Sequence, residues 1–261
     1  MSGYWVDNNS LQWIDVPAYE WELPAGEVFQ LNQIWTDNDF VYAVTTSGLF
    51  VVDVDTSNTV AYVDYSGGFS TVWASDDNVY VGTEDDGVKY IEKTCISTNQ
   101  SNPVDIVACL NDYDFTHNVS SDVVRYIHGS GETLAVVTYS GIDILNNGEI
   151  LGYKSSTQMD DVEKCFFTSK GEVYYTKNTG GPALYKKSDT SSDWSEPDKN
   201  FVIENPFSES GLFLEDGVTI NDIYVTVNTS SGTSNTLFVA TSSGIYVYDE
   251  GLSVGDVYYS S

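Results

Sequence analysis

The chain has 261 residues and a formal net charge of −29, from 39 acidic and 10 basic side chains. With Arg125 as its one arginine it lacks the clustered cations that displace counterions from a nucleic acid, and an anionic membrane face repels it. No apolar run approaches the roughly 20 residues that span a bilayer and no stretch keeps helical apolar spacing, so one all-β domain over residues 1–261 is expected.

Residues 1–28 come first. Met1–Val6 has no basic segment followed by an apolar core, so no ordinary secretory signal is expected. Tyr4 to Val16 reads as a hairpin around Asp7–Ser10, serving as a closure segment against the last repeat or as an incomplete repeat of its own.

A repeating unit then starts. Repeat one, about 29–66, has an inner strand at Ile34-Trp35, a turn at Asp37-Asn38-Asp39 and a hairpin over Val41–Asp53 that turns at Ser47-Gly48. The hairpin returns at Val79–Ile91, Leu134–Leu145, Val173–Tyr185 and Leu237–Tyr248. Its turn glycines Gly48, Gly87, Gly141, Gly181 and Gly244 are separated by 39, 54, 40 and 63 residues, a unit of about 40–45 with two insertions. Positive φ, rather than ligand contact, is the expected role of these glycines. The strand before each glycine is nearly all apolar, as in Phe40–Val44 and Leu237–Ala240, which implies cover on both faces.

Repeat two, about 67–112, has an inner strand over Ser70–Ser75, a turn at Asp76-Asp-Asn78 in register with Asp37–Asp39, an insertion at Ser97–Asn102 and an outer strand over Val104–Leu110. Repeat three, about 121–155, begins at Val123 and carries an Asn146-Asn-Gly148 turn. Repeat four, about 160–205, has Cys165–Phe167 as its inner strand and Ser169–Gly171 as its turn, and a polar surface excursion covers Asp193–Gly217. Repeat five, about 216–261, has an inner strand over Asp222–Val227, a polar loop over Asn228–Asn235 and a final strand at Val257–Tyr259. The odd count and wide spacing of Cys95, Cys109 and Cys165 point to buried thiols, with a Cys95–Cys109 bridge across the insertion as the alternative.

The repeats together resemble β-propeller proteins, which implies five four-stranded blades, or six if the amino-terminal hairpin counts as one. Leu184–Trp194 also resembles the Asp-box turn of sialidase-like propellers, with Asp189 and Trp194 at the aspartate and aromatic positions and Thr190 and Ser191 where glycines are usual. That box is a structural turn in its family and implies nothing about catalysis.

A sialidase needs an arginine cluster for its substrate carboxylate, and one arginine excludes it. Five-bladed glycosidases use separated carboxylates at inner-strand ends. Asp37, Asp76, Glu163 and Asp222 lie near such positions, but turn and surface roles account for them in so acidic a chain. His117 and His128 have no partners at zinc-ligand spacing, and neither sits in a triad-like context. Glu84-Asp-Asp86 offers oxygen ligands for Ca2+, with a solvated turn as the expected reading.

No catalytic, cofactor-binding or metal-binding residue is therefore assigned, and no enzyme is expected. The acidic, Tyr-, Asn- and Thr-rich style is similar to virion proteins of tailed bacteriophages. That likeness implies a non-enzymatic structural or interaction module that decorates a head or attaches to a tail, located in the virion and contacting other protein subunits rather than nucleic acid or membrane. The alternative is a propeller that binds or cleaves carbohydrate at a particle or cell surface, with glycans as partners and export by a route without a classical signal peptide.

Overall fold

The computed structural model describes residues 3–6, 13–16, 30–96, 103–113, 122–146, 149–155, 161–177, 181–188, 199–200, 214, 217–227, 235–250 and 254–258. His117, Asp189, Trp194 and the Asn147-Gly148 turn pair lie outside them.

The described chain is all-β, apart from two single turns of 3-10 helix at Lys93–Cys95 and Val107–Cys109. Five small sheets follow one another, and each begins with its innermost strand: Leu31–Thr36, Thr71–Ala74, Val124–Ser130, Val162–Phe167 and Ile220–Val227. In each sheet the second strand pairs antiparallel with the third, next in chain order.

A short motif closes the central hairpins of sheets one, three and five. In Thr45-Thr-Ser-Gly48 the threonine Oγ1 accepts from Ser47 N at 3.1 Å and donates to Gly48 O at 3.2 Å. Thr138 and Thr241 accept from Ser140 N and Ser243 N in the same way, each at 3.2 Å. All five turn glycines have positive φ, as expected. At Gly48, with φ of 146°, a Cβ would also lie 1.9 Å from Val63 O, so any other residue would force the next strand away.

Packing is between successive sheets. Tyr42, Val44 and Leu49 of sheet one meet Val72, Val79 and Val81 of sheet two. Trp73 and Tyr80 of sheet two meet Ile127, Leu134 and Val136 of sheet three. Ala135 and Val137 of sheet three meet Cys165, Val173 and Tyr175 of sheet four. Phe166, Tyr174 and Leu184 of sheet four meet Ile223, Leu237 and Val239 of sheet five. Each fully buried large apolar side chain contributes about 1.5–3 kcal/mol over leaving it in water, so these four layers carry most of the fold's stability.

Four expectations are corrected. Val104–Leu110 is not the outer strand of repeat two: Val104–Asp105 pairs parallel with Ala61-Tyr62 and becomes a fifth strand of sheet one, while Asn111–Asp112 completes sheet two. Crossing to the neighbouring sheet covers the edge strand Thr59–Asp64, which would otherwise present unpaired backbone groups. Cys95 and Cys109 form a disulfide, and Cys165 alone is a buried thiol. The link spans only the short crossing, so sequence spacing alone could not separate it from two free thiols.

The turn register is offset by one: Asp37 N donates to Phe40 O and Ser75 N to Asn78 O, so Ser75, not Asp76, matches Asp37. Either side-chain oxygen can hold the turn's N–H groups, which hides the match from a reading of charge. Outside these corrections, the amino-terminal hairpin is present: Gly3–Val6 and Trp13–Val16 form a two-stranded sheet of their own, and among the described residues the last sheet takes its four strands from Ile220 to Tyr258. Finally, Leu237–Ala240 is not covered on both faces. Leu237 and Val239 are buried and Phe238 and Ala240 only half-buried, because sheet five packs on sheet four with one face and its other face is only partly covered.

Candidate binding site on the inner strands

Counting along each inner strand by its pairing to the second strand aligns Gln33, Thr71, Tyr126, Lys164 and Asp222 in one layer. Two residues further on, Trp35, Trp73, His128, Phe166 and Tyr224 form another. Both layers are real contacts, so the five inner strands run the same way and meet.

In the first layer the Tyr126 hydroxyl donates to Asp222 Oδ1 at 3.1 Å, and the Gln33 amide hydrogen-bonds the same hydroxyl. Gln33 Oε1 accepts from Thr71 Oγ1 and from Val72 N at 3.0 Å, Thr71 Oγ1 accepts from Ile127 N at 3.0 Å, and Lys164 Nζ lies 4.4 Å from the Tyr126 ring centre. Burial first, and then the Asp222 charge, push the Tyr126 hydroxyl well above the ordinary tyrosine range, so it stays a donor.

The second layer is a continuous run of aromatic contacts. Trp35 lies 6.4 Å from Trp73 and 5.3 Å from His128, His128 lies 3.8 Å from Phe166, and Phe166 lies 5.3 Å from Tyr224, centre to centre. Gly129 lets Trp73 in, since a Cβ there would sit 2.8 Å from its ring. Burial lowers the His128 pKa to about 3, and its Nδ1 accepts from Phe167 N at 3.1 Å, so the imidazole is a neutral structural group. Burial likewise pushes the Cys165 thiol up, away from nucleophilic use.

The four carboxylates singled out from sequence do not converge. Asp222 and Glu163 are exposed near the start of their inner strands, whereas Asp37 lies four residues past Gln33, about 13 Å along a strand. Asp37 holds a turn, accepting from Asp39 N at 2.9 Å, Phe40 N at 2.8 Å, Tyr42 OH at 2.8 Å and Lys93 Nζ. Asp76 is an exposed turn residue. In the acidic turn, Asp86 pairs with Lys89 Nζ at 2.6 Å, so the chain's own ammonium sits where a Ca2+ ion was considered. No group of three His, Cys, Asp or Glu with metal-site geometry occurs among the described residues.

The sequence reading missed the way lysines clamp adjoining sheets. Lys186 Nζ pairs with Glu172 at 2.7 Å and with Glu250 of sheet five at 2.9 Å, while Tyr174 OH donates to Glu250 at 2.9 Å. The one available signal was position: Lys93 and Glu250 both follow the third strand, and their N–H groups bond back to Asp77 O and Asn235 O.

Two faces are less covered. Leu31 and Ile34 lie on the face of sheet one turned away from sheet two, and Asp222 and Tyr224 on the face of sheet five turned away from sheet four. Leu31 and Tyr224 are each 53% exposed and Ile34 is 45% exposed. A bulge between Leu31 and Gln33 puts Leu31 on the same face as Ile34. Phe238, Ala240, Ile245 and Val247 extend the half-covered apolar face of sheet five.

No protein-family model and no curated protein matches the chain. Among solved structures it is similar to two crystal structures of the extracellular domain of a B. thetaiotaomicron protein, described as a one-component and a hybrid two-component system. Identity is 12% for both, with TM-scores of 0.57 and 0.54 over 97% and 88% of this chain. The chain spans about a third of those domains, 33% and 30%. It is also similar to the computationally designed Ika8 protein at 10% identity and TM-score 0.51, over 88% of this chain and 58% of the other. At such identities the likeness is one of fold alone.

Proposed function

We propose that the five sheets are the blades of a β-propeller with one junction left open, and that the protein is a non-enzymatic interaction module that contacts other proteins through that junction. One observation carries the reading. Three of the six large apolar side chains exposed among the described residues, Leu31, Ile34 and Tyr224, lie on the first strands of sheets one and five, between which no core layer occurs among the described residues. Meanwhile Tyr126 and Cys165 on the inner strands are held protonated, and Asp37, Glu172 and Glu250 in the turns and strand ends are tied to lysines.

The setting is an assembly outside the reducing cytoplasm, and the tailed-bacteriophage virion is the assembly whose proteins the sequence resembles in style. The Cys95–Cys109 disulfide supports an oxidising environment, and the extracellular domains among the similar structures agree with it. The test is co-sedimentation and immunogold labelling of purified particles, with the double variant Leu31→Ser/Ile34→Ser alongside wild type. Wild type found on particles and the variant left in the soluble fraction is the expected result; wild type found only free in the lysate ends the virion reading.

A glycan-binding role has its own observation. Tyr139, 61% exposed, presents a ring with the Arg125 guanidinium 4.6 Å from its centre, an aromatic and polar pair of the kind that holds a pyranose. A glycan array with wild type and Tyr139→Ala separates the two readings.

A further inference from the structure

Repeat three departs from the other repeats at two positions, and the two departures touch. The first position is the bulge near the start of an inner strand. Asn32, Arg125, Glu163 and Asn221 are each the extra residue between two paired positions, and Ser70 stands just before Thr71, the equivalent of Gln33 and Tyr126. In repeats one and two this residue ties its sheet to the next: Asn32 Nδ2 donates to Phe69 O at 2.7 Å, and Ser70 Oγ donates to Val124 O. Arg125 continues the series, with Nη1 3.5 Å from Val162 O of sheet four. A single N–H or O–H is enough for that task, and a guanidinium brings a whole fork of donors and a charge.

The second position is the residue after the threonine in the turns of sheets one, three and five, exposed in all three. It is Thr46 in the first and Ser242 in the last, but Tyr139, 61% exposed, in the third. The Arg125 guanidinium lies 4.6 Å from the centre of that ring. Lys89, Lys93, Lys177 and Lys186 are all paired with carboxylates, whereas Arg125 forms no ion pair among the described residues, in a chain with 39 acidic side chains.

We propose that Arg125 and Tyr139 bind a sugar bearing one carboxylate, a hexuronate unit of an otherwise neutral glycan. This rests on the reading of the pair as a glycan contact, and it names the class of glycan. The planar fork gives two parallel N–H bonds to a carboxylate, a geometry that lysine does not offer and that no carboxylate of the chain takes up among the described residues. The exposed ring covers the apolar face of the pyranose. The net charge of −29 repels a polyuronate but is largely screened beyond about 8 Å at physiological ionic strength, so one acid in contact with the guanidinium is held.

The experiment is a chemical-shift titration of the full chain with methyl glucuronide at physiological salt, beside its methyl ester, which keeps the ring and loses the charge, and beside acetate. As the one arginine, Arg125 gives a single Nε–H resonance that reports on the site, with the Tyr139 amide as a second reporter. Wild type should bind the acid about tenfold more tightly than the ester or acetate. Arg125→Gln keeps an N–H for Val162 O, so its unfolding midpoint should match wild type while the preference for the acid disappears; Tyr139→Phe should keep the binding and Tyr139→Ala lose it. Equal affinity for acid and ester overturns the carboxylate and keeps the glycan reading. Equal affinity for acetate and glucuronide overturns the sugar, leaving a site for any carboxylate, an acidic protein side chain included. No shift with either sugar, together with a glycan array on which Tyr139→Ala matches wild type, overturns both.

Discussion

Tyr126 OH donates to Asp222 Oδ1 at 3.1 Å across 96 residues of chain, joining the inner strand of the third sheet to that of the fifth. Tyr126 is 3% exposed, so its hydroxyl has exchanged water for Asp222 and Gln33. A hydrogen bond to a charged group contributes about 1.5–3 kcal/mol, against about 1 for a neutral pair. Tyr126→Phe should therefore destabilise the fold by about 2 kcal/mol in a denaturant titration. A double-mutant cycle with Asp222→Asn should return a coupling energy of about 1 kcal/mol, and additive losses would show that the two side chains do not act as a pair.

Lys186 offers a larger effect. Its side chain is 11% exposed and holds two carboxylates, Glu172 and Glu250, that are themselves 16% and 15% exposed. Burial alone raises the Glu172 pKa, but the Lys186 and Asn235 hydrogen bonds outweigh it and hold the carboxyl below its ordinary value. Lys186→Met removes the one ammonium between two carboxylates and should cost about 3–5 kcal/mol by chemical denaturation, because the acids remain buried without it. The pH response should change as well. In wild type the stability Glu172 contributes is present above its ordinary value near 4.5 and lost as pH falls through the lower folded value; in Lys186→Met, acidification should recover stability instead.

The architecture was legible where local chemistry repeats. The five turn glycines mark the hairpins because backbone with positive φ selects glycine, whatever the rest of the fold does. The second strands were legible as apolar runs. What stayed hidden depends on neighbours distant in sequence. Val104–Asp105 carries nothing to say that it pairs with Ala61-Tyr62 rather than with its own sheet. Leu237–Ala240 has the composition of a doubly covered strand, and its half-exposed face follows from which sheets pack together, not from its residues. The contact of Gln33 and Asp222 with the Tyr126 hydroxyl joins strands of sheets one, three and five, so no spacing in the sequence announces it.

The Cys95–Cys109 link encloses a segment with a sequence separation of 14. That segment carries Ile106, 5% exposed in the layer between sheets one and two, and the strand that covers the edge of sheet one. Closing a loop of about 15 residues stabilises by about 3 kcal/mol in the chain-entropy account. Cys95→Ser/Cys109→Ser should lower stability by about 2–4 kcal/mol and speed amide exchange at Ile106 N, which donates to Tyr62 O at 2.9 Å. Unchanged exchange there would mean that parallel pairing and apolar packing hold the crossing without the link.

His128 gives the fold a pH dependence of predictable sign. It is 4% exposed and ringed by Trp35, Trp73 and Phe166, and its pKa is lowered by burial to about 3 against an ordinary value of 6.5. Between those values the unfolded chain binds a proton that the folded chain refuses, so the imidazole leaves stability unchanged above pH 6.5. Below that it takes away about 1.4 kcal/mol for each pH unit, levelling off only near the folded pKa. Carboxylates add their own slope below about pH 5, so the window from 6.5 to 5 isolates the histidine, and about 2 kcal/mol should be lost across it. His117→Gln leaves a single imidazole for proton NMR. Its Cε1–H resonance should stay in the neutral position from pH 8 down to the onset of acid unfolding, and a titration midpoint near 6.5 would show that the aromatic layer around His128 admits water and charge.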